Sequence, residues 1–136
     1  MVFFTGQAMK QLLFIALGGS IGALARFGVA RWVTVYVNSL FPWGTLVVNL
    51  SGLVLIGILY EVFEQSLIAP EWRNLLTIGF LGAYTTFSTY GLETLNLFRD
   101  GEIKLGIGYM IVSNIAGLGC VAAGIVVARL FFKLIK

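Results

Sequence analysis

The chain has 136 residues, of which 59% are hydrophobic and only 11% are charged. Soluble domains usually carry about 25% charged residues, so this composition excludes a water-soluble globular protein and indicates a single integral membrane domain over residues 1–136. The sequence has no histidine and one cysteine, Cys120. These counts exclude a disulfide framework within the chain and the usual histidine-based zinc and general-base sites.

Charged residues and prolines divide the chain into four predicted membrane spans. A helix of about 20 residues crosses a bilayer, and the apolar runs are Leu12–Val37, Trp43–Tyr60, Asn74–Leu92 and Leu105–Ala128. No cleavage pattern follows the first run, which we therefore expect to remain in the protein. The predicted fold is all-α with four transmembrane helices, and an even number of spans places both termini on one side.

The third run has an unusually polar centre. It carries no charge, yet it contains Gly82, Thr85, Thr86, Ser88 and Thr89. Hydrocarbon penalises each unpaired backbone group by several kcal/mol, so residues that weaken a helix persist there only where the backbone is buried in protein or lines a cavity. The stretch is therefore predicted to be part of a site.

The distribution of Lys and Arg is nearly balanced between the two ends of the spans. The side with the termini carries Lys10, Arg73, Arg129, Lys133 and Lys136, and the other side carries Arg31, Arg99 and Lys104, with Arg26 deeper in the first span. Membrane orientation follows the asymmetry of these residues. A bias this small favours insertion in both orientations and an antiparallel homodimer.

Pairs of small residues predict close helix packing. Gly18 and Gly22 are four residues apart in the first span, and Ser113 and Gly117 are four apart in the last. Such pairs let two helix backbones approach each other in a membrane. We expect packing at these positions, with a pore-lining role as the alternative.

Polar side chains inside the spans indicate the type of solute. Arg26, Asn49, Ser113 and Asn114 join the polar residues of the third span, and Glu93 is the acidic residue nearest to its centre. Intramembrane polar residues usually face a bundle interior or a cavity. Because these groups offer hydrogen-bond donors and one cation, they favour an anion as the solute.

Four motifs together resemble the small bacterial fluoride channels of the Fluc or CrcB family. They are GGSIGALARF at 18–27, WGTLVVNLSG at 43–52, GFLGAYTTFSTY at 79–90 and GYMIVSNIAG at 108–117. The resemblance implies a passive fluoride channel in a bacterial inner membrane, with no enzymatic activity and no nucleic-acid partner. It also implies an antiparallel, dual-topology homodimer with two pores and a third helix broken in the middle of the membrane.

The resemblance further implies a set of site residues. Backbone carbonyls of Gly82 and Thr85 from both subunits would hold a structural Na⁺, and Phe87 and Tyr90 occupy the positions of two pore phenylalanines. Aromatic ring edges are weakly electropositive and contact an anion without trapping it. The remaining matches to family positions are Arg26, Asn49, Tyr109 and Ser113, and Ser88 and Thr89 are expected to supplement this polar track; Gly117 replaces a further family serine.

Several alternatives stay open from the residues alone. Phe87 and Tyr90 are also typical of lipid-facing or packing aromatics, Asn49 of an interhelical hydrogen bond, and Arg26 of a side chain that snorkels to the interface. The alternative functions are a small dual-topology four-helix exporter, a fluoride/proton exchanger and a purely structural role. Drug/proton exporters of this size depend on a glutamate in the first span, and this span has no acidic residue.

Overall fold

The computed structural model describes residues 6–135 and is helical throughout this range apart from short connections. Residues 1–5 and Lys136, which was counted among the cations of the terminal side, lie outside the described residues. The elements in chain order are α1 (Gly6–Val37), α2 (Trp43–Gln65), α3 (Pro70–Asn74), a π-helix (Leu75–Leu81), α4 (Gly82–Tyr84), α5 (Phe87–Arg99) and α6 (Ile103–Leu134).

Three of these helices are long and apolar enough to cross a membrane: α1, α2 and α6. Each is longer than its predicted span, because no proline or extended residue stops the helix where the charges begin. Helix α2, for example, continues beyond Tyr60 through Glu61 to Gln65. The all-α prediction and the membrane class are confirmed.

The third predicted span, Asn74–Leu92, is not one helix. Its first residue, Asn74, is the last residue of α3, and the run continues through the seven-residue π-helix and the short α4. The helix stops after Tyr84, where Thr85 and Thr86 are extended with ψ angles of 158° and 117°. Helix α5 then starts at Phe87. The polar centre of the run therefore contains a break, and π-helical turns are frequent near functional sites.

The glycines of α1 pack directly against the π-helix. A Cβ atom on Gly18 would overlap the carbonyl oxygen of Leu75, and one on Gly22 would overlap that of Phe80. The packing prediction for this pair is confirmed, because only a residue without a side chain permits this approach.

Helices α2 and α6 make a second close contact through glycine. A Cβ atom on Gly57 would overlap the carbonyl oxygen of Val121, and one on Gly124 would overlap that of Val54. Each helix thus fills the space that the other helix leaves free. The first half of the broken segment packs mainly on α1, and α5 also contacts α6.

Polar side chains fasten the connection between α2 and α3. Arg73 donates hydrogen bonds to the carbonyl oxygens of Phe63 (2.9 Å) and Ile68 (3.2 Å). Lys10 of α1 pairs with Glu71 at 2.9 Å, and the rings of Phe14 and Trp72 meet edge to face at 5.2 Å. The start of the broken segment is therefore fixed to both α1 and α2.

Candidate functional site

The break after Tyr84 is held by one side chain of α2. The Asn49 side chain accepts a hydrogen bond from the Thr86 amide at 2.8 Å and donates one to the Thr86 carbonyl at 3.1 Å. An amide side chain carries one acceptor and two donor hydrogens, so Asn49 satisfies both backbone groups of Thr86 and keeps one N–H. The interhelical hydrogen bond that was an alternative for Asn49 is present.

Thr86 in turn caps the second half of the broken segment. Its hydroxyl oxygen accepts a hydrogen bond from the Thr89 amide at 3.2 Å, and its hydroxyl donates to the Thr89 hydroxyl at 3.0 Å. The Ser88 hydroxyl lies 3.3 Å away. A threonine with extended backbone is a favourable N-cap residue, which explains why α5 begins directly after it.

These contacts redirect two amide groups away from their usual helical acceptors. In an α-helix the Thr86 amide would reach the Gly82 carbonyl and the Thr89 amide would reach the Thr85 carbonyl. Here the first amide donates to Asn49 and the second to the Thr86 side chain. The carbonyls that lose their usual donors belong to Gly82 and Thr85, the two residues predicted to hold Na⁺.

A cavity of about 240 Å³ lies beside the break. Its wall includes Asn49, Phe87, Tyr90 and Ser113, four of the residues predicted to line a pore, and it carries no charged side chain. The other lining residues are Leu53, Thr85, Thr86 and Asn114. Helices α2, α5 and α6 thus contribute to one concave surface.

Two aromatic rings, those of Phe87 and Tyr90, line this cavity, and Tyr109 packs behind Tyr90. The Phe87 and Tyr90 ring centres are 5.5 Å apart, and the Tyr90 and Tyr109 ring centres are 5.1 Å apart. Phe87 is 83% exposed, whereas Tyr109 is fully buried. The Tyr90 hydroxyl accepts a hydrogen bond from Asn114 at 3.2 Å, so it is anchored to α6.

Ser113 brings a hydroxyl group to the cavity without a partner. Its oxygen is buried and makes no hydrogen bond within residues 6–135. A buried polar atom of this kind costs about 1–3 kcal/mol and requires a partner that the described residues do not supply. The hydroxyl can donate to a small anion that enters the cavity.

Glu93 connects three helices and is a residue of this region that was not among the predicted site residues. Its carboxylate accepts hydrogen bonds from the Thr45 hydroxyl at 2.8 Å and from the Tyr109 hydroxyl at 2.9 Å. Tyr109 is thereby directed toward Glu93 rather than into the cavity. The sequence signal that could have identified Glu93 is its position as a lone acidic residue at the end of an uncharged run, because a charge at such a place requires partners.

Thr89 and Arg26 lie away from the cavity beside the break. Thr89 lines a different cavity of about 380 Å³ together with Glu93 and Arg31. Arg26 is half-buried on α1 and is not among the lining residues of either cavity. In the described part of the chain, the first-span arginine that lies near α5 is therefore Arg31.

Comparison with known proteins shows strong similarity along most of the chain. The model of the family described as "CrcB-like protein, Camphor Resistance (CrcB)" matches residues 13–125. A protein of Hahella chejuensis named fluoride-specific ion channel FluC is 41% identical over 125 residues, which are 91% of this chain and 98% of that protein.

Two further relatives carry the same name. The protein of Magnetococcus marinus is 44% identical over 88% of this chain and 98% of its own length, and that of Citrifermentans bemidjiense is 45% identical over 89% and 98%. These names describe ion channels and not enzymes. They agree with the prediction that the chain has no enzymatic activity.

Proposed function

The chain belongs to the CrcB family, and from this premise we propose that it is a fluoride-specific ion channel that conducts F⁻ passively across the membrane. The resemblance seen in the four sequence motifs is confirmed by the family match. The proposed physiological result is a lower fluoride concentration in the cytoplasm, which requires the protein to reside in the inner membrane.

The unpartnered hydroxyl of Ser113 is the observation that carries this proposal. It lies in a cavity that also contains the Asn49 amide and no charged side chain. Fluoride must exchange a strong hydration shell for donors that it can leave again, and conduction requires weak, multiple contacts. Neutral hydroxyl and amide donors with aromatic edges offer such contacts. We assign Ser113, Asn49, Phe87 and Tyr90 to the ion path.

In this proposal, a second copy of the chain completes the site beside the break. Gly82, Ser88 and Thr89 are exposed on the protomer, and Phe87 is 83% exposed. Lipid cannot satisfy polar backbone and hydroxyl groups, so another protein surface or water must cover this face. An antiparallel second copy supplies that surface, and the balanced Lys and Arg count supports this orientation. Two pores per homodimer follow from the twofold axis.

A structural Na⁺ fits the carbonyls of Gly82 and Thr85. Both carbonyls lose their usual amide donors to Asn49 and Thr86, and hard cations prefer oxygen ligands of this kind. The ion would neutralise the partial negative charge of these carbonyls where two copies meet. Thr85→Ser retains the backbone ligand, whereas a bulky residue at Gly82 disturbs the break and the proposed dimer axis.

Replacing Na⁺ tests the metal assignment without a flux measurement. We expect the thermal stability of the purified dimer to fall when Na⁺ is replaced by N-methylglucamine, and Thr85→Ser to retain this dependence. A melting temperature that is equal with and without Na⁺ would remove the ion from the proposal and leave the channel assignment intact.

Glu93 is the observation that favours the second candidate, a fluoride/proton exchanger. Its carboxylate lies against Thr45 and Tyr109, and an acid within a transport protein is able to carry a proton. The two candidates differ in their driving force. A channel needs only the electrochemical gradient of fluoride, whereas an exchanger requires a fixed proton stoichiometry.

Fluoride efflux from liposomes separates these functions. We expect reconstituted protein to release fluoride after a K⁺ ionophore compensates the charge, at a rate that an imposed pH gradient leaves unchanged. Efflux that follows the proton gradient in a fixed ratio would establish exchange, and no efflux from folded protein would overturn both candidates.

Tagging the C-terminus and labelling it from both sides of the membrane tests dual topology, which one-sided labelling would refute.

A further inference from the structure

A third cavity lies at the opposite end of the α2–α6 pair from the break. It has a volume of about 310 Å³ and is lined by Glu61, Gln65, Arg129, Phe132 and Lys133. Glu61 follows Asn49 by twelve residues along α2, which corresponds to about 18 Å along the helix axis. This cavity is therefore separate from the cavity beside Phe87.

The guanidinium of Arg129 is held in place by a buried carboxylate. Its Nε donates to Glu61 at 2.9 Å, and Glu61 is only 4% exposed. The second oxygen of Glu61 accepts a hydrogen bond from Gln65 at 3.1 Å. Glu61 is thus occupied on both oxygens, and it fixes the Nε edge of Arg129 toward α2.

The opposite edge of Arg129 is available to a ligand. The side chain is 59% exposed, and its two terminal amino groups make no hydrogen bond within residues 6–135. A guanidinium presents these donors in a planar fork that matches two oxygens of a phosphate group. Lys133 lies one turn further along α6, on the same face of the helix, and is exposed. The two cations outnumber Glu61, so the cavity favours an anion.

The level of the cavity indicates where this anion comes from. Ala128 ends the apolar run of α6 and Tyr60 ends that of α2, so Arg129 and Glu61 are the first charged residues beyond the two runs. At the ends of such runs helices leave the hydrocarbon and meet the lipid headgroups. Phe132 adds an apolar wall beside the two cations. We propose that this cavity binds the phosphate headgroup of an anionic phospholipid, with Arg129 and Lys133 as its donors.

Native mass spectrometry of the purified chain tests this site with phosphatidylglycerol and phosphatidylcholine as the two probes. We expect the wild type to retain phosphatidylglycerol preferentially, and Lys133→Gln to reduce this preference about fivefold, as expected for one basic side chain near a membrane surface. Arg129→Gln with Lys133→Gln should abolish the preference. Arg99→Gln with Lys104→Gln, which removes two exposed cations at the other end of the helices, should retain it.

The single variant Lys133→Gln keeps the proposal testable if loss of Arg129 leaves Glu61 unpaired and unfolds the chain, because it preserves the Arg129–Glu61 pair. Equal lipid retention in wild type and Lys133→Gln would overturn the site. Displacement of the lipid by millimolar inorganic phosphate would show a free-phosphate site instead, and a changed dimer fraction with unchanged lipid retention would show an interface between copies. The inference depends on membrane embedding and not on the channel proposal.

Discussion

Helix α2 makes two contacts that are built from opposite kinds of residue. At Gly57 it meets Gly124 of α6 with backbone against backbone, and at Asn49 it holds the extended residue Thr86 with two hydrogen bonds. The two positions are eight residues apart, or about 12 Å along the axis. The first contact joins regular helices, whose backbone groups are already paired. The second replaces backbone hydrogen bonds that the break removes.

Helix α2 therefore has one position that serves packing, Gly57, and one position that shapes the proposed ion site, Asn49. Substitutions at the glycine contact should act on packing and therefore on the whole protomer. Substitutions around the break should act on the cavity and on conduction while the remaining helices stay packed.

Gly124→Ala should destabilise the whole protein. The added Cβ would overlap the Val54 carbonyl, and overpacking costs about 1–3 kcal/mol where the neighbour is backbone that cannot rotate away. We expect a lower melting temperature and less folded protein in size-exclusion chromatography. Gly119→Ala is the matched control on α6, since no atom lies within 4 Å of that Cβ. Equal stability of the two variants would show that the glycine contact is not tight.

Phe87→Ile should reduce fluoride flux strongly and leave folding unchanged. The ring is 83% exposed on the protomer, so its loss removes little packing there but deletes the electropositive ring edge beside the cavity. We expect efflux to fall at least about tenfold, equivalent to about 1.4 kcal/mol in the barrier. Phe131→Ile, at a 59% exposed ring of α6, should conduct normally. Full flux in folded, dimeric Phe87→Ile would assign this ring to lipid contact or packing.

Asn49→Ala should loosen the break. Both backbone groups of Thr86 lose their partner, and each unsatisfied buried group costs about 1–3 kcal/mol. We expect faster hydrogen exchange of the Thr86 amide and reduced fluoride efflux. Asn114→Ala is the control for the exchange measurement, because Asn114 is exposed and bonds to the Tyr90 hydroxyl and its own helix and not to Thr86. Unchanged exchange at Thr86 would mean that the break persists without Asn49.

Tyr90→Phe should have a small effect, with flux retained or increased. The change deletes a hydroxyl that accepts one exposed hydrogen bond from Asn114 and keeps the ring against Phe87 and Tyr109. A neutral hydrogen bond contributes about 0.5–1.5 kcal/mol, so stability should change little. Efflux from liposomes measures the result, and a large loss of flux would show that the hydroxyl itself binds the ion.

Removing the Lys10–Glu71 ion pair should have the smallest effect on stability, and this effect should be present only above acidic pH. The hydrogen bond from Lys10 holds the pKa of Glu71 below its ordinary value. A carboxyl with a lowered pKa stabilises the fold above its unfolded pKa, and this contribution disappears as the pH falls through the folded pKa. Glu71→Gln should therefore lower the melting temperature slightly at neutral pH and not at a pH below the folded pKa of Glu71. An equal difference at both pH values would exclude the ion pair as its cause.

The membrane class, the apolar runs and the importance of residues 79–90 are evident from the amino-acid sequence alone. These properties follow from composition and from the high cost of polar groups in hydrocarbon, and neither requires knowledge of long-range contacts. The close approach of Gly18 and Gly22 was also predictable, because two small residues four apart lie on one helix face. The resemblance carried by the four motifs named Asn49, Phe87, Tyr90 and Ser113 before the structure brought them to one cavity.

The hydrogen-bond partners of these residues follow from the three-dimensional packing and not from the sequence pattern. Thr86 lies 37 residues from Asn49 and Glu93 lies 48 residues from Thr45, and no local pattern specifies which donor meets which acceptor at such separations. The structure also directed Tyr109 toward Glu93, left Ser113 without a partner in the described residues, and placed Arg31 rather than Arg26 near Thr89. Helix periodicity fixes the face of the helix on which a residue lies. The rotation and depth of each helix depend instead on how glycine contacts, such as that of Gly57 with Gly124, bring the backbones together.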